Sequence, residues 1–156
     1  MIKLQKYELK NIEINNLNDK SFLRKMNQDE EFKKFFGGIV LNSENKESIF
    51  MNDYLVQFNG AIVGYIHIAN KINNGEIVAV TLYYYIDKLY RGNGIATTLL
   101  KELMEYLSKE ENINYFILNI NKANIPSIYV ALNNEFIQKR EIEEDEEEIQ
   151  FVHKTL

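Results

Sequence analysis

The spacing of apolar side chains along the chain switches between two residues and about 3.6, and each switch marks a new element. Residues 2–9 (IKLQKYEL) alternate well enough to predict a first strand. Two short stretches of helical spacing follow, at 18–26 (NDKSFLRKM) and 29–37 (DEEFKKFFG). Asp29, Glu30 and Glu31 stand at the front of the second, where carboxylates suit the positive end of a helix. DYLVQF (53–58) and AIVGYIHIA (61–69) then flank Asn59-Gly60, a pair that tolerates positive φ and predicts a tight hairpin. Asn73-Asn74-Gly75 predicts a second turn into EIVAVTLYYYI (76–86), whose apolar and aromatic run suits burial on both faces. Two consecutive hairpins make these three strands antiparallel neighbours.

From Gly94 the period becomes helical again. Ile95, Leu99, Leu103 and Leu107 form one apolar row, with Ala96, Leu100 and Met104 beside it. Thr97, Thr98, Lys101, Glu102 and Glu105 are expected on the other side. A short buried strand (114–120), a helix near 125–134 and two strands, FIQKREI and EEIQFVHKTL, complete the chain. A strand–helix–strand unit inside an otherwise antiparallel order implies one parallel pair. The fold class is therefore mixed α/β: about seven strands with flanking helices, in a single domain over 1–156. No repeat, linker or composition break marks a second one.

Composition removes whole classes of chemistry. The chain has no cysteine, which excludes disulfides, thiolate nucleophiles and Cys-based zinc sites. Two histidines, His67 and His153, are too few for a His-rich metal site, so no metal is expected, although carboxylates can bind a hard cation. The net charge of −5 comes from one segment, EIEEDEEE at 141–148, which reads as a solvated turn. Without its seven acidic residues the rest carries 16 acidic against 18 basic residues. That balance lets the body accept an anion locally, but it builds no basic stripe for nucleic acid. No apolar run approaches the roughly 20 residues of a membrane span, and the opening Met1-Ile2-Lys3-Leu4 lacks a signal-peptide core, so a cytoplasmic protein is expected, as monomer or homodimer.

The segment that points to function joins the last central strand to the long helix. Tyr83, Tyr84, Tyr85, Ile86 and Asp87 end the strand, and Lys88-Leu89-Tyr90-Arg91-Gly92-Asn93-Gly94 leads into Ile95 and Ala96. Glycines let backbone approach a ligand closely, and the first helical N–H groups have no partners of their own. Such a helix start binds anions, phosphate above all. Arg91 adds positive potential. The loop is neither a Walker A sequence, since no Gly-Lys-Ser/Thr follows, nor G-x-G-x-x-G.

YIDKLYRGNGIATTLL resembles the pyrophosphate signature of the GNAT (GCN5-related) N-acetyltransferases, Arg/Gln-x-x-Gly-x-Gly/Ala after a strand, satisfied by Arg91, Gly94 and Ala96. NIPSIYVALNNEF resembles the family's later helix, with Asn124, Ser127 and Phe136 in place. The order of elements matches over nearly the whole chain. The resemblance implies acetyl-CoA as co-substrate and an amine as acceptor. It also implies that backbone groups of Tyr84, Tyr85 and Ile86 bind the pantetheine arm. Arg91, Gly92, Asn93, Gly94, Ile95, Ala96 and Thr97 would then surround the pyrophosphate, with Asn124 and Ser127 near the arm.

The catalytic positions are less familiar. Many members carry a tyrosine seven residues after the asparagine, as acid for the departing thiolate; here that position is Ala131. Tyr129 lies about 200° away on a helix of 3.6 residues per turn. Glu135 stands where glycine is usual, and the frequent glutamate positions are Asn119 and Thr81. No catalytic residue is thus assigned, and the acceptor's own pKa is expected to set the pH dependence. His67 has the right ordinary pKa for a base but reads as a sheet histidine, and His153 more so. A non-catalytic acyl-CoA-binding module is the alternative.

Overall fold

A computed structural model of the chain describes residues 1–36, 52–139 and 146–155. Among these residues the strands are β1 (Ile2–Lys3), β2 (Glu8–Asn11), β3 (Asp53–Phe58), β4 (Ala61–Asn73), β5 (Glu76–Ile86), β6 (Tyr115–Asn121), β7 (Ile137–Gln138) and β8 (Glu148–Lys154). The α-helices are α1 (Leu17–Gln28), α2 (Glu30–Phe36), α3 (Ile95–Glu111) and α4 (Ile125–Asn133). Strand order is β1-β2-β3-β4-β5-β6-β8-β7, with β5 and β6 parallel and the other registered pairs antiparallel. The mixed α/β class and the parallel pair are as the periodicity implies. Residues 140–145, which hold the end of the FIQKREI segment and the first five positions of the acidic stretch 141–148, lie outside the described residues.

The chain forms two compact units, Met1–His67 with Tyr84–Arg91, and Ile68–Tyr83 with Gly92–Leu156. In the first, the predicted opening strand is folded back on itself. Leu4 N–H donates to Tyr7 O at 2.8 Å, and Ile2 then pairs with Leu9. The polar Gln5-Lys6 pair, exposed on both residues, supplies the turn that alternation alone does not reveal. Asn59 (φ 50°) and Gly60 (φ 81°) make the expected hairpin between β3 and β4, both left-handed as a primed two-residue turn requires. Asp29 separates the two helices. Its extended backbone ends α1, while its side chain accepts from Glu31 N–H at 2.9 Å and starts α2. The apolar faces of both helices bury Phe22, Leu23, Met26 and Phe32 in one cluster with Leu55, Tyr65 and Tyr85.

In the second unit β5 pairs with β6 at Val80↔Phe116 and Thr81↔Ile117, and β6 pairs with β8 from Tyr115↔Lys154 to Asn121↔Glu148. Helix α3 buries Leu99, Leu100 and Leu103 completely, as its apolar row predicts. It also buries Glu102, which the polar side was expected to hold. Position 102 lies at the edge of the stripe, one residue from Leu103 and three from Leu99, close enough to be covered with them.

Helix α4 ends with Glu135 at φ 63°, after which Phe136 N–H donates to Ala131 O at 3.0 Å and the Phe136 ring is buried. A left-handed residue at this place is normally glycine. The conformation costs a side-chain-bearing residue roughly 1–2 kcal/mol, part of which glycine gives back through its freer unfolded chain. Glu135→Gly is therefore expected to stabilise by about 1 kcal/mol, a rise of about 2–4 °C in Tm for a chain of this length. Thermal unfolding followed by circular dichroism checks it, and an unchanged or lower Tm contradicts it.

Candidate functional site

Two positive-φ glycines, Gly92 (83°) and Gly94 (73°), bring the chain to α3. A Cβ built on either would meet no heavy atom of the described residues within 4 Å. Their glycine identity therefore answers to backbone conformation and to open space in front of the loop, not to crowding by the chain itself. Gly94 is the N-cap of α3, and no side chain caps this end. The first intrahelical bond is Thr98 N–H to Gly94 O at 3.1 Å, so the N–H groups of Ile95, Ala96 and Thr97 precede the ladder. A helix of 17 residues thus presents its positive end with, among the described residues, no side-chain cap and no carboxylate in its first turn.

Helix α4 is built differently. Asn124 caps it, its Oδ1 accepting from Ser127 N–H at 3.4 Å, and Pro126 fits the first turn. The Asn-x-x-Ser spacing thus has a local cause, a cap that uses Oδ1 of Asn124 and the backbone N–H of Ser127. Tyr129 is 61% exposed whereas Ala131 is fully buried, so these two positions do face different ways. Asn119 accepts from Gln150 Nε2 at 3.2 Å, a cross-strand amide pair. His153 packs on Phe116 and Phe136, its Nδ1 lying 3.2 Å from Glu135 O. That is a structural setting.

In the first unit the end of β5 is held on several sides. Asp87 N–H donates to Val63 O at 2.8 Å, and the Asp87 carboxylate accepts from Lys25 Nζ at 2.6 Å. Gly64 lies against this end so closely that an added Cβ would collide with Tyr85 O and approach Ile86 Cδ1 to 3.1 Å. Arg91 closes the arrangement. Its Nε donates to Ile86 O at 2.9 Å, its Nη2 to Asp29 Oδ2 at 2.9 Å, and its Nη1 lies 3.0 Å from Glu31 Oε2. The guanidinium also sits over the Tyr85 ring, 5.3 Å from its centroid. The positive potential expected from Arg91 is therefore shared with two carboxylates, and its fork fixes the strand end.

Tyr85 donates its hydroxyl to the same Asp29 Oδ2 at 2.7 Å. Burial, then Asp29, push the Tyr85 phenol well above its ordinary range, so it remains a hydroxyl donor. Burial alone would raise the Asp29 carboxyl. The Tyr85 hydroxyl, the Glu31 amide and Arg91 outweigh it and hold the carboxyl below its ordinary value. A group depressed in the folded state contributes stability above its unfolded pKa and loses it as pH falls through the folded one. Asp29→Asn is thus expected to lower the urea midpoint at pH 7, with the gap narrowing below about pH 4, near the unfolded carboxylate value. A gap that stays constant with pH contradicts this assignment.

The carboxylates that organise these residues escape a sequence reading. Asp19, Asp53 and Asp87 are each under 4% exposed. Asp53 accepts the Tyr65 hydroxyl at 2.5 Å and pairs with His67 Nδ1 at 2.7 Å. The strand pattern does carry a signal for this pair. Asp53 shares the inward phase of Leu55, and His67 that of Tyr65, so both polar residues fall on buried-face positions.

The family model of the acetyltransferase (GNAT) family matches residues 11–133. An uncharacterized N-acetyltransferase of Methanocaldococcus jannaschii is 35% identical over 72 residues, 46% of this chain and 44% of that relative, so the match spans less than half of its length. A GNAT-family acetyltransferase of Bacillus anthracis superposes with a TM-score of 0.77 at 16% identity, covering 99% of this chain and 97% of that one. An aminoglycoside acetyltransferase solved with coenzyme A superposes at 0.74 with 13% identity, covering 95% and 94%. At these identities the structural likeness is one of fold.

Proposed function

Since the chain belongs to the acetyltransferase (GNAT) family, we propose that it transfers acetyl from acetyl-CoA directly to an amine, on a small molecule or a peptide N-terminus. The observation that carries this reading is the uncapped start of α3, entered through Gly92 and Gly94 with clear space before both. Backbone N–H groups of Gly92, Asn93, Gly94, Ile95, Ala96 and Thr97 hold the pyrophosphate in this reading. Backbone of Tyr84, Tyr85 and Ile86 pairs with the amides of the pantetheine arm, at a strand end that Arg91 fixes. Asn124 offers Nδ2 to the arm, with Ser127 beside it. The coenzyme A bound to the aminoglycoside acetyltransferase of the same fold agrees with this donor.

The amine nitrogen attacks the thioester carbonyl, the carbon–sulfur bond breaks and coenzyme A leaves as thiol. The chain has no cysteine, so no thioester-bound acyl-enzyme enters this route. Holding an amine against an activated thioester supplies much of the acceleration by proximity alone. The buried Ala131 at the usual acid position favours a second reading, an acyl-CoA-binding module without turnover. Thiol release from acetyl-CoA with a panel of polyamines, amino acids, aminoglycosides and N-terminal peptides separates the two. Release above the acceptor-free rate supports transfer. Tight coenzyme A binding with no release across the panel favours the module.

A further inference from the structure

We propose that a cleft between helix α1 and the β3–β4 hairpin binds a hydroxylated small molecule bearing an oxyanion, as a sugar phosphate or a sugar acid does. The cleft lies wholly within the first unit. It uses none of the residues assigned above to the pyrophosphate or the pantetheine arm.

Short side chains open it. Asn18, Ser21, Phe22 and Lys25 follow the i, i+3, i+4, i+7 spacing of one helix face, and all four line the cleft. The other wall is Gln57 of β3, Gly60 of the hairpin turn and Ile62 of β4. A helix face laid on a sheet normally fills the gap with apolar side chains. Here only Phe22 of the four is apolar, and Asn18 and Ser21 are short. A Cβ on Gly60 would meet no heavy atom of the described residues within 4 Å. The space left is about 440 Å³, the size of a cleft for a small molecule.

Charge selects an anion. Lys10 and Lys25 line the cleft with a single carboxylate, Asp19, so the described lining carries one surplus positive charge. Asp19 is closed to a ligand. It is 0% exposed, one oxygen accepting from Lys10 Nζ at 2.8 Å and the other from Glu13 N–H at 2.9 Å. Lys25 donates to Asp87 at 2.6 Å, but its side chain is 53% exposed where that of Asp87 is 4%. An ammonium carries three hydrogens, and this contact uses one. An oxyanion entering the cleft meets the others.

Hydroxyl groups suit the rest of the lining. Asn18, Ser21 and Gln57 each both donate and accept, as a hydroxyl does. Among the described residues no hydrogen bond engages these three side chains. An apolar occupant would take water from them and return nothing, which costs binding. The Phe22 ring, with Lys25 Nζ 5.7 Å from its centroid, offers an apolar surface to the carbon-bound hydrogens of a sugar. Such a ligand carries no amine, so the cleft is a ligand site in its own right.

Titration calorimetry of the intact chain tests this, with coenzyme A at saturation so that phosphate does not report on the α3 start. Glucose 6-phosphate, gluconate or both should bind with a Kd at or below about 1 mM. Glucose and inorganic phosphate should each bind at least tenfold more weakly, and the tighter of the two acids tells phosphate from carboxylate. Backbone nitrogen-15 spectra should show shifts at Asn18, Ser21, Lys25, Gln57 and Gly60 on addition of that acid. Ser21→Leu fills the cleft without removing a charge and should weaken binding at least tenfold. The shift map is read on the parent chain, so it decides the matter if the variant fails to fold. Neither acid binding by about 10 mM overturns the site. So does glucose or inorganic phosphate binding as tightly as the acids, unchanged affinity in a folded Ser21→Leu chain, or shifts confined to residues 92–97. Coenzyme A that fails to bind removes the donor reading alone, since the shift map still locates this ligand.

Discussion

Gly94→Glu should lower coenzyme A affinity at least a hundredfold in titration calorimetry, while far-UV circular dichroism remains that of the parent chain. Among the described residues nothing lies within 4 Å of a Cβ at this position, so the new side chain enters the space in front of the α3 start. There it places a carboxylate where a pyrophosphate would lie, exchanging attraction for repulsion at a site of low solvent access once ligand is bound. A hundredfold loss corresponds to about 2.7 kcal/mol, within reach of one misplaced charge. The left-handed backbone at φ 73° adds strain of roughly 1–2 kcal/mol, which an acidic group at a helix N-terminus partly offsets. Gly94→Ala isolates the strain, since it adds one methyl group to open space. It should lose stability but retain most of the affinity. Equal affinity in Gly94→Glu and the parent chain would remove the donor site from this loop.

The tight turns and the glycine loop are the features most legible in the amino-acid sequence, because they depend on local conformation. Asn59-Gly60 and Asn74-Gly75 adopt positive φ at both positions, and the Gly-Asn-Gly loop opens a helix where the period changes. Helix α3 follows its apolar row for the same reason, and departs from expectation only at Glu102, on the edge of the stripe. What stays hidden depends on residues far apart in the chain. Asp29 meets Tyr85 and Arg91 across 56 and 62 positions, and a charged DEE triplet before a helix gives no sign of that. The Asp53–His67 pair is hidden in the same way. Each alone reads only as a polar residue on the buried face of its strand, and the β3–β4 register is what makes them partners. The role of Gly64 is equally invisible, for a glycine inside AIVGYIHIA is a weak strand residue until its neighbour is known.

Gly64 carries the second large effect. A Cβ there would meet the backbone oxygen of Tyr85 closer than side-chain carbons approach backbone, with Ile86 Cδ1 at 3.1 Å and Ile86 Cα at 3.5 Å. The Ile86 methyl can rotate aside, but a carbonyl fixed in a strand cannot, so β4 and the end of β5 must separate. Overpacking of a filled interior costs roughly 1–3 kcal/mol, and a collision with backbone belongs at the upper end. Gly64→Ala is expected to lower Tm by about 6–12 °C at the 2–4 °C per kcal/mol of a chain this size. Gly64→Val, with two more carbons in the same place, should fall further or fail to fold. The displaced groups are the Tyr85 and Ile86 backbone, which the proposed donor contacts require, so folded Gly64→Ala should also bind coenzyme A at least tenfold more weakly. Glu135→Gly supplies the control for stability alone, since it alters Tm without touching either strand. A Gly64→Ala chain with parental Tm would show that the two strands yield without cost. If Tm falls and affinity holds, the end of β5 does not bind the pantetheine arm, and the donor reading would then rest on the α3 start by itself.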